Sequence, residues 1–399
     1  MKKFLLMSCA VALSLGANAQ KLEKAPVSFN QLKLSSVEGV QFNGVAKKAP
    51  AKKVSADQFI GTFINNSWDE KNEINTATTD YMYKANVTTD DGTVLNLKWD
   101  IYAGIFGHVY ARLDEKTNTF TIPQGQYFGD GAPVQITDKE SSPLAFYGVG
   151  QNGYFCDFEG QYDPATGLIS PNDTIQGYLA LITEGTYANK YVYANFSPTI
   201  ARSNAVMTGS ISGEDGWSEF EQPVWLDYSA AEDGVVDVYN HLLSLESQAG
   251  CKLSFDVDGT EASMATGQPM VYISNESDHA TYGKYILLRG VAIDENAGTV
   301  SPDFNMTTIE GGTYDAQTGE VAFPRVYYRG FSEVGSDGRG YATNFFVNCY
   351  FTPATTGIAG VSNNVEKKAD NRIFNLAGQQ VSKNYKGVVI VNGHKKLQK

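Results

Sequence analysis

The sequence predicts an all-β protein made of two tandem duplicated antiparallel β domains and a small C-terminal β-hairpin tail. From about residue 59 onward, short runs rich in Val, Ile, Tyr, Phe and Thr are interrupted by Gly, Asp, Asn or Pro. The interruptions recur about every eight to twelve residues, which is typical of all-β domains. A second observation is an internal repeat, since GQYDPATGLIS at residues 160–170 has a near copy, GGTYDAQTGEVAF, at residues 311–323.

The N-terminus has the features of a secretory signal peptide over residues 1–19. Lys2 and Lys3 precede an apolar run that is too short to span a bilayer, and Ala17-Asn18-Ala19 supplies a small-residue cleavage site. Residues 20–55 are rich in Lys, Ala and Pro without a sustained period, which predicts a disordered or loosely attached lead-in. We therefore expect an exported protein without a transmembrane segment.

The repeat predicts the domain boundaries. Residues 91–126 align without a gap on residues 233–268 at an offset of 142, and the offset grows to 152 at the twin Tyr-Asp motifs. It reaches 155 where Phe196-Ser197-Pro198 is matched to Phe351-Thr352-Pro353. The first domain is then residues 56–203 and the second is residues 204–357, each of ordinary domain size. The strand pattern leaves a lipocalin-like up-and-down barrel and a sandwich as open alternatives.

The twin motifs predict two copies of one hairpin turn. Asp163 and Asp315 can each accept local backbone hydrogen bonds at the start of a turn. Gly167 and Gly319 can adopt the left-handed conformation that closes it. The only segment with a helical pattern is short, at residues 239–247.

Charge is distributed unevenly along the chain. Residues 56–357 contain 14 basic and 40 acidic side chains, whereas the flanking segments 20–55 and 358–399 are both net basic. Because phosphate contacts come from Lys and Arg, this excludes nucleic acid as a partner of the acidic body. A solvated, self-repelling surface and a cation-binding surface remain the two interpretations.

Catalytic and metal-binding patterns are not found. The four histidines have no metal-ligand spacing, and His108 and His241 do not match in the two copies. Cys156, Cys251 and Cys349 remain after removal of the signal peptide, and their apolar surroundings favour buried, unreactive thiols. The segment 256–261 superficially resembles a calcium loop, but its glycine is misplaced and a hairpin turn is favoured. We predict no catalytic residue, no metal site and no cofactor.

The C-terminal segment 358–399 begins with a polar linker and continues with short strands. Its sorting-like motif comprises Arg372, Asn375, Gly378, Lys386 and Gly387. In order and composition it resembles the C-terminal sorting segment of Bacteroidota proteins exported by the type IX secretion system. That resemblance implies passage across the outer membrane to the cell surface or medium. The alternative is a small hairpin that caps the neighbouring domain, with the protein then in the periplasm.

A second resemblance concerns modification. Asp173-Thr174-Ile175 resembles the O-glycosylation acceptor triplet of the same bacteria, which implies Thr174 as the modified residue. The body of the chain resembles uncharacterised secreted β proteins of these bacteria, a likeness that implies no activity.

Three functions follow as hypotheses. The first is a non-enzymatic surface or secreted binding protein whose unknown ligand is a glycan, a small apolar molecule or a host protein. The second is an extracellular polysaccharide hydrolase with unidentified carboxylates, and the third is a structural component of a surface layer or fimbria. The expected partners are the export machinery and the extracellular ligand. The many aromatic residues either contact a sugar or build two β cores.

Overall fold

The structure is a computed structural model. It describes residues 40–41, 45–46, 59–69, 74–88, 94–101, 107–151, 153–213, 216–242, 250–273, 276–294, 296, 299–332, 342–354, 373–375, 380–381, 387–391 and 394–398. Two compact units result, residues 1–358 and residues 359–399.

Strands account for most of the described chain. The segment before the first domain contributes β1 (Val40–Gln41) and β2 (Val45–Ala46). The first domain contributes β3 (Phe59–Asp69), β4 (Ile74–Thr88), β5 (Val94–Asp100), β6 (His108–Asp114), β7 (Thr119–Ile122), β8 (Val134–Thr137), β9 (Glu140–Ser142), β10 (Leu144–Gly150), β11 (Phe155–Cys156), β12 (Phe158–Asp163), β13 (Leu168–Pro171), β14 (Ile175–Ile182) and β15 (Tyr191–Arg202). The second contributes β16 (Ala205–Gly213), β17 (Gly216–Asp227), β18 (Val235–Tyr239), β19 (Leu253–Asp258), β20 (Glu261–Ala265), β21 (Pro269–Tyr272), β22 (Tyr285–Asp294), β23 (Thr299–Asp303), β24 (Thr308–Asp315), β25 (Glu320–Ser332) and β26 (Phe346–Pro353). The C-terminal unit contributes β27 (Ile373–Asn375), β28 (Gln380–Val381), β29 (Gly387–Val391) and β30 (His394–Gln398).

Each domain is a closed antiparallel barrel of eight strands. The first ring runs β3-β4-β5-β6-β7-β12-β13-β15 and closes where β15 pairs with β3. The second runs β16-β17-β18-β19-β20-β24-β25-β26 and closes where β26 pairs with both β16 and β25. The predicted all-β fold of two tandem antiparallel domains is confirmed, and of the two open alternatives the structure has the barrel. Helical structure in the described chain comprises short 3-10 turns, at Ile101, Phe128–Gly131, Ala231–Asp233 and Glu276–Asp278, and the α-turn His279–Tyr282.

The two barrels match strand for strand, although not at the offset that the ungapped alignment predicts. In the first barrel Asp114 pairs with Thr119 across a four-residue turn, whereas in the second Asp258 pairs with Glu261 across a two-residue turn. Because this turn is two residues shorter in the second barrel, β19 is shifted by two residues against β6 relative to the ungapped alignment. Ala111 therefore corresponds to Phe255, because both are paired with the matching position of the preceding strand.

The end of the repeat also differs from the alignment by sequence. In β15, Ile200 pairs with Asn65, and in β26, Phe351 pairs with Met207. Ile200 and Phe351 are thus equivalent, and the similar Phe-x-Pro tripeptides are not. The positive-φ residues Ser197 and Asn348 mark the same bulge in both strands and support this register.

The interior of each barrel is filled by its own side chains. In the first, Trp99, Phe120, Phe146 and Phe158 are fully buried, and the ring of Trp99 meets that of Phe120 edge to face at 5.1 Å. In the second, the ring of Phe255 packs at a tilt against those of Phe323 and Phe351, at 5.3 and 4.9 Å. An eight-stranded barrel is just wide enough for its side chains to fill it or to hold one small ligand. In both barrels the described interior is occupied by a cluster of buried hydrophobic side chains.

The barrels contact each other through backbone and side chains. The Ala77 N–H donates to the Gly250 carbonyl at 2.7 Å, and the Gly250 N–H donates back at 3.2 Å. Trp225 stacks on Tyr239 at 4.7 Å, and both pack with Ile64 of the first barrel. This contact combines paired hydrogen bonds with buried apolar area.

The helical prediction for residues 239–247 is wrong in its described part. Tyr239 ends strand β18, and Asn240 has a φ of +65°, which is outside the helical region. The side chain of Gln222 donates to the carbonyls of Asn240 and Leu242, which satisfies these backbone groups without a helix. Residues 243–249 lie outside the described residues.

The flanking segments contribute short strands. From the predicted lead-in, β1 pairs with β23 and β2 pairs with β17, while the rest of residues 20–55 lies outside the described residues. The C-terminal unit is a four-stranded antiparallel sheet in the order β28-β27-β29-β30. In the ladder between β29 and β30, Val391 pairs with His394.

Candidate functional site

Four tyrosines lie on the outer side of the first barrel, on strands β4 and β6 and in the segment after β7. Tyr81 and Tyr83 come from β4, Tyr110 comes from β6, and Tyr127 follows β7. Because side chains alternate between the two faces of a strand, Met82 and Ala111 point to the core and Tyr81, Tyr83 and Tyr110 point outward. Tyr127 is half exposed and directly follows Gln126, whose side chain hydrogen-bonds the Tyr110 backbone. We call these four residues the tyrosine surface.

The rings of the tyrosine surface are ordered by one another and by their neighbours. Tyr81 and Tyr83 are stacked, with ring centroids 6.5 Å apart and planes inclined by 22°. Tyr110 meets the imidazole of His108 edge to face at 5.2 Å. Tyr110 and Tyr127 keep 47% and 50% of their area exposed, which places them among the most exposed large hydrophobic side chains of the described chain.

Polar groups alternate with these rings. Lys98 lies on β5 between Tyr83 and Tyr110, with which it pairs on either side. Burial, followed by the nearby carboxylate of Asp100, raises the pKa of Tyr83, which also hydrogen-bonds that carboxylate. The His108 Nε2 lies 3.5 Å from the Asp130 carboxylate, close enough for an ion pair when the imidazole is protonated. The surface therefore offers aromatic faces, a cation and acceptors together.

The matching face of the second barrel is already occupied within the chain. Tyr81 pairs with Asp100, and the corresponding pair in the second barrel is Trp225 with Tyr239. Trp225 and Tyr239 pack against the first barrel, as described above. The duplication therefore produced two related faces, of which one joins the barrels and the other carries the exposed tyrosines.

A second distinctive feature is a buried polar cluster inside the first barrel. It consists of Asn65, Asp80, Tyr178 and Asn195, all of which are at most 1% exposed. The Asn65 amide donates to the Asp80 carboxylate at 2.9 Å and also to the Tyr178 hydroxyl. The Asn195 amide donates to the Asn65 carbonyl oxygen at 2.6 Å and to the Tyr178 hydroxyl at 2.9 Å. Burial and the negative charge of Asp80 raise the pKa of Tyr178.

The second barrel has no such cluster at the equivalent positions. From the matching ladders, the counterparts of Asn65, Asp80, Tyr178 and Asn195 are Met207, Val224, Tyr328 and Phe346. Only the tyrosine is kept, and its hydroxyl now lies 3.3 Å from the Cys349 sulfur. The fold itself can therefore be built with apolar residues at three of these four positions.

The predicted turn motifs lie at equivalent hairpins, between β12 and β13 and between β24 and β25. The Asp163 carboxylate accepts the Ala165 N–H at 2.9 Å, and Asp315 accepts the Gln317 N–H at 2.8 Å. Hydrogen bonds from the Thr166 hydroxyl and the Ala165 N–H lower the pKa of Asp163, and a similar set lowers that of Asp315.

The two turn glycines adopt the left-handed backbone conformation that the motif predicts. Gly167 and Gly319 have φ values of +76° and +79°. Their hairpins lie in different barrels, each with its own aspartate, so each motif forms a separate turn.

The other predicted residues are dispersed. Thr174 is exposed in the turn between β13 and β14, an accessible position for a modified side chain. Asn375 lies in β27 and Gly387 begins β29, whereas Arg372, Gly378 and Lys386 lie outside the described residues.

The cysteines that the structure describes are unpaired thiols. None of Cys156, Cys251 and Cys349 is in a disulfide; Cys251 and Cys349 are buried, and Cys156 is half-buried. Burial raises the pKa of Cys251 and of Cys349 to about 12, so both remain protonated at neutral pH. Within the described part of the chain, no group of three or more His, Cys, Asp or Glu side chains could hold a metal ion.

Comparisons with known proteins add no relative. No protein-family model, curated protein or solved structure matches this chain. In the part of the chain that the structure describes, none of the helices has the length and apolar character needed to cross a membrane.

The tyrosine surface was not identified from the sequence, which predicted only that the many aromatic residues either contact a sugar or build two β cores. Trp99 and Trp217 are core residues, and Trp225 lies at the contact between the barrels. A signal was nevertheless present: Tyr81 and Tyr83, Lys98 and Asp100, and His108 and Tyr110 each have the two-residue spacing of one strand face. The sequence does not show that the three strands that carry these pairs, β4, β5 and β6, are neighbours in register.

Proposed function

We propose that this protein is an exported, non-enzymatic binding protein that holds a glycan on its tyrosine surface. The observation that carries the proposal is the grouping of exposed Tyr110 and Tyr127 with the stacked pair Tyr81 and Tyr83. Signal-peptide features at residues 1–19 and the sorting-like C-terminal segment support export.

The chemistry of the surface suits a sugar. A pyranose ring has an apolar face of C–H groups, which stacks on aromatic rings, and a rim of hydroxyls, which need donors and acceptors. Lys98 and Asp100 lie among the tyrosines on β5 and can bond such hydroxyls. Tyrosine itself combines an apolar ring with a polar tip and little conformational freedom, so ordering it on binding costs little.

The packed barrel interiors favour an outer surface over an internal pocket. Ligand cavities require unfilled space of several hundred cubic ångströms, by general experience about 300 Å³ or more. Several large aromatic side chains of both barrels point inward and are fully buried, among them Trp99, Phe120 and Phe255. Among the predicted ligands, this supports a glycan bound outside over a small apolar molecule bound inside.

The proposal is tested with the purified mature protein on a panel of soluble bacterial, plant and host polysaccharides. We expect at least one glycan to bind, and the double variant Tyr110→Ala with Tyr127→Ala to bind it about tenfold more weakly or worse, because two stacking contacts are lost. The matched control is Tyr350→Ala, since Tyr350 is 37% exposed on the second barrel. Equal losses in both variants, or no binding across the panel, would contradict the proposal.

Two further measurements accompany the panel. Release of reducing ends by the protein would overturn the non-enzymatic assignment and favour the predicted hydrolase. Export is checked by fractionating the producing cells and sequencing the mature N-terminus, which we expect at Gln20. An unprocessed N-terminus in the cytoplasm would contradict that part.

A further inference from the structure

Two arginines lie side by side on the outer face of the second barrel, at a place that the tyrosine surface does not include. Arg289 of β22 is the direct cross-strand partner of Arg329 of β25. Directly opposed residues on antiparallel strands have their Cβ atoms about 5 Å apart and share one face. The two guanidinium groups therefore start from adjacent positions.

Both guanidinium groups lie against aromatic rings. The Arg329 guanidinium carbon is 4.1 Å from the centroid of Phe345, and that of Arg289 is 5.8 Å from the centroid of Phe304. A guanidinium that lies over a ring directs its N–H groups outward in its own plane. Such an arrangement fixes the donors before any ligand arrives.

Neither arginine has a carboxylate partner among the residues that the structure describes. Arg329 is only 2% exposed, yet its Nε and Nη2 both donate to a single neutral acceptor, the Thr343 carbonyl. The Nε of Arg289 is buried and has no hydrogen-bond partner within the described chain. Burial lowers the pKa of Arg329 to about 10, still well above neutrality, so the side chain keeps its charge.

This arrangement is electrostatically unfavourable as it stands. Like charges directly opposed across two strands destabilise a sheet, and a buried cation without a counter-charge is more costly still. Residues 56–357 contain 40 acidic and 14 basic side chains, yet none of the acids that the structure describes forms an ion pair with either arginine.

The fold does not require these arginines. The matching pair in the first barrel is Tyr147 with Leu179, in the equivalent ladder. Two matching hydrogen bonds establish this equivalence. The Gly125 N–H donates to the carbonyl of Phe146, and the Gly267 N–H donates to the carbonyl of Leu288, so the next residues, Tyr147 and Arg289, correspond. One copy of the duplicated domain thus has an uncharged pair where the other has two cations.

We propose that Arg289 and Arg329 form a binding site for an oxyanion, a sulfate, phosphate or carboxylate group carried by an acidic extracellular ligand. An oxyanion between the two groups accepts charge-assisted hydrogen bonds from both guanidinium planes and neutralises their repulsion. Arg289, which is half-buried, is the entry side of the site, and Arg329 is its buried end. The site is independent of the proposed glycan binding by the tyrosine surface, although one acidic polysaccharide could use both.

The test measures anion binding to the full mature chain by calorimetry and thermal unfolding. Sodium sulfate, sodium phosphate and sodium galacturonate are compared at constant ionic strength, with sodium chloride as the reference, because screening alone depends on ionic strength. We expect at least one of the three to raise the unfolding temperature above the chloride value and to give a saturable heat of binding. The three arms separate a tetrahedral inorganic anion from a sugar carboxylate.

The decisive variant is Arg289→Gln, because a half-buried position tolerates this change better than Arg329. We expect it to weaken the binding of the responding anion about tenfold or more through the loss of charge-assisted hydrogen bonds. The matched control is Arg112→Gln on the exposed face of β6, which should bind as the unaltered protein does. Unchanged affinity in Arg289→Gln, or no response beyond chloride in any arm, would overturn the proposal.

Discussion

Gln126 and Gln268, 142 residues apart, make the same hydrogen bonds in the two barrels. The Gln126 side chain accepts the Tyr110 N–H at 2.8 Å and donates to the Tyr110 carbonyl at 2.8 Å. Gln268 accepts the Ser254 N–H at 2.8 Å and donates to the Ser254 carbonyl at 3.0 Å. Each side-chain amide thus satisfies the backbone N–H and the carbonyl of one residue at a strand edge, where no neighbouring strand continues the ladder.

We predict that Gln126→Ala and Gln268→Ala each lower the free energy of unfolding by about 1 to 2 kcal/mol. The reason is that each change removes two hydrogen bonds and leaves a strand N–H and carbonyl without their partner. Urea unfolding followed by tryptophan fluorescence measures the effect. The exposed neighbour Gln124 is the control, and Gln124→Ala should change stability by less than about 0.5 kcal/mol. Equal effects in all three variants would show that the shared hydrogen bonds contribute nothing.

The buried polar cluster should respond non-additively to substitution. Asp80→Val alone removes one of the two acceptors of the Asn65 amide and should cost about 2 to 3 kcal/mol. Combining it with Asn65→Met and Asn195→Phe reproduces the side chains of the second barrel, so the partners disappear together. We expect the triple variant to lose clearly less stability than the sum of its three single variants. Strict additivity in urea unfolding would contradict this expectation.

His241 should make the protein less stable as the pH falls. Burial lowers its pKa from 6.5 to about 4, partly offset by its hydrogen bond to the Cys251 carbonyl. The unfolded chain therefore binds the proton more readily than the folded one. Stability is unaffected by this group above pH 6.5 and decreases by about 3 kcal/mol in total as the pH falls to about 4.

The pH effect is measured as the difference between the unaltered protein and His241→Gln, which removes the titrating group and keeps an amide donor. We expect the stability of the unaltered protein to fall more steeply between pH 6.5 and pH 4 than that of the variant. Other acids titrate in both proteins and cancel in the comparison. Parallel pH profiles would show that His241 is protonated at its ordinary pKa.

Alanine substitutions at two turn glycines should distinguish the cost of backbone strain from that of steric overlap. Gly167 and Gly259 have φ values of +76° and +60°, so alanine at either position is strained by about 1 to 2 kcal/mol. A Cβ at Gly167 would also lie 2.7 Å from the Cβ of Arg202, whereas a Cβ at Gly259 would meet nothing within 4 Å. Gly167→Ala should therefore lower the unfolding temperature more than Gly259→Ala. The reverse order would mean that the chain near Arg202 gives way at little cost.

The sequence predicts those parts of the fold that depend on neighbours along the chain. The turn at Asp163 holds itself together within five residues, and alternating apolar residues set the buried face of each strand. The helical prediction near Tyr239 failed because a side chain 17 residues away, Gln222, satisfies the backbone there.

Features that depend on distant pairing were not predictable. Barrel closure requires β15 to pair with β3, more than 120 residues earlier, and nothing local distinguishes this from a sandwich. The shift of β19 against β6 was invisible, because a slip of two residues keeps every side chain on the same face. The tyrosine surface and the arginine pair likewise arise only once separate strands lie in register.

The bridge between Ala77 and Gly250 has a consequence for polyvalent ligands. Two sites on a flexible tether sample a range of separations, and their joint avidity depends on the length of the tether. Here the two barrels are joined by main-chain hydrogen bonds and by the packing of Trp225 and Tyr239 against Ile64, so the tyrosine surface and the arginine pair keep one spacing. A long polymer with regularly placed acidic groups would be selected by its repeat length as well as by its chemistry.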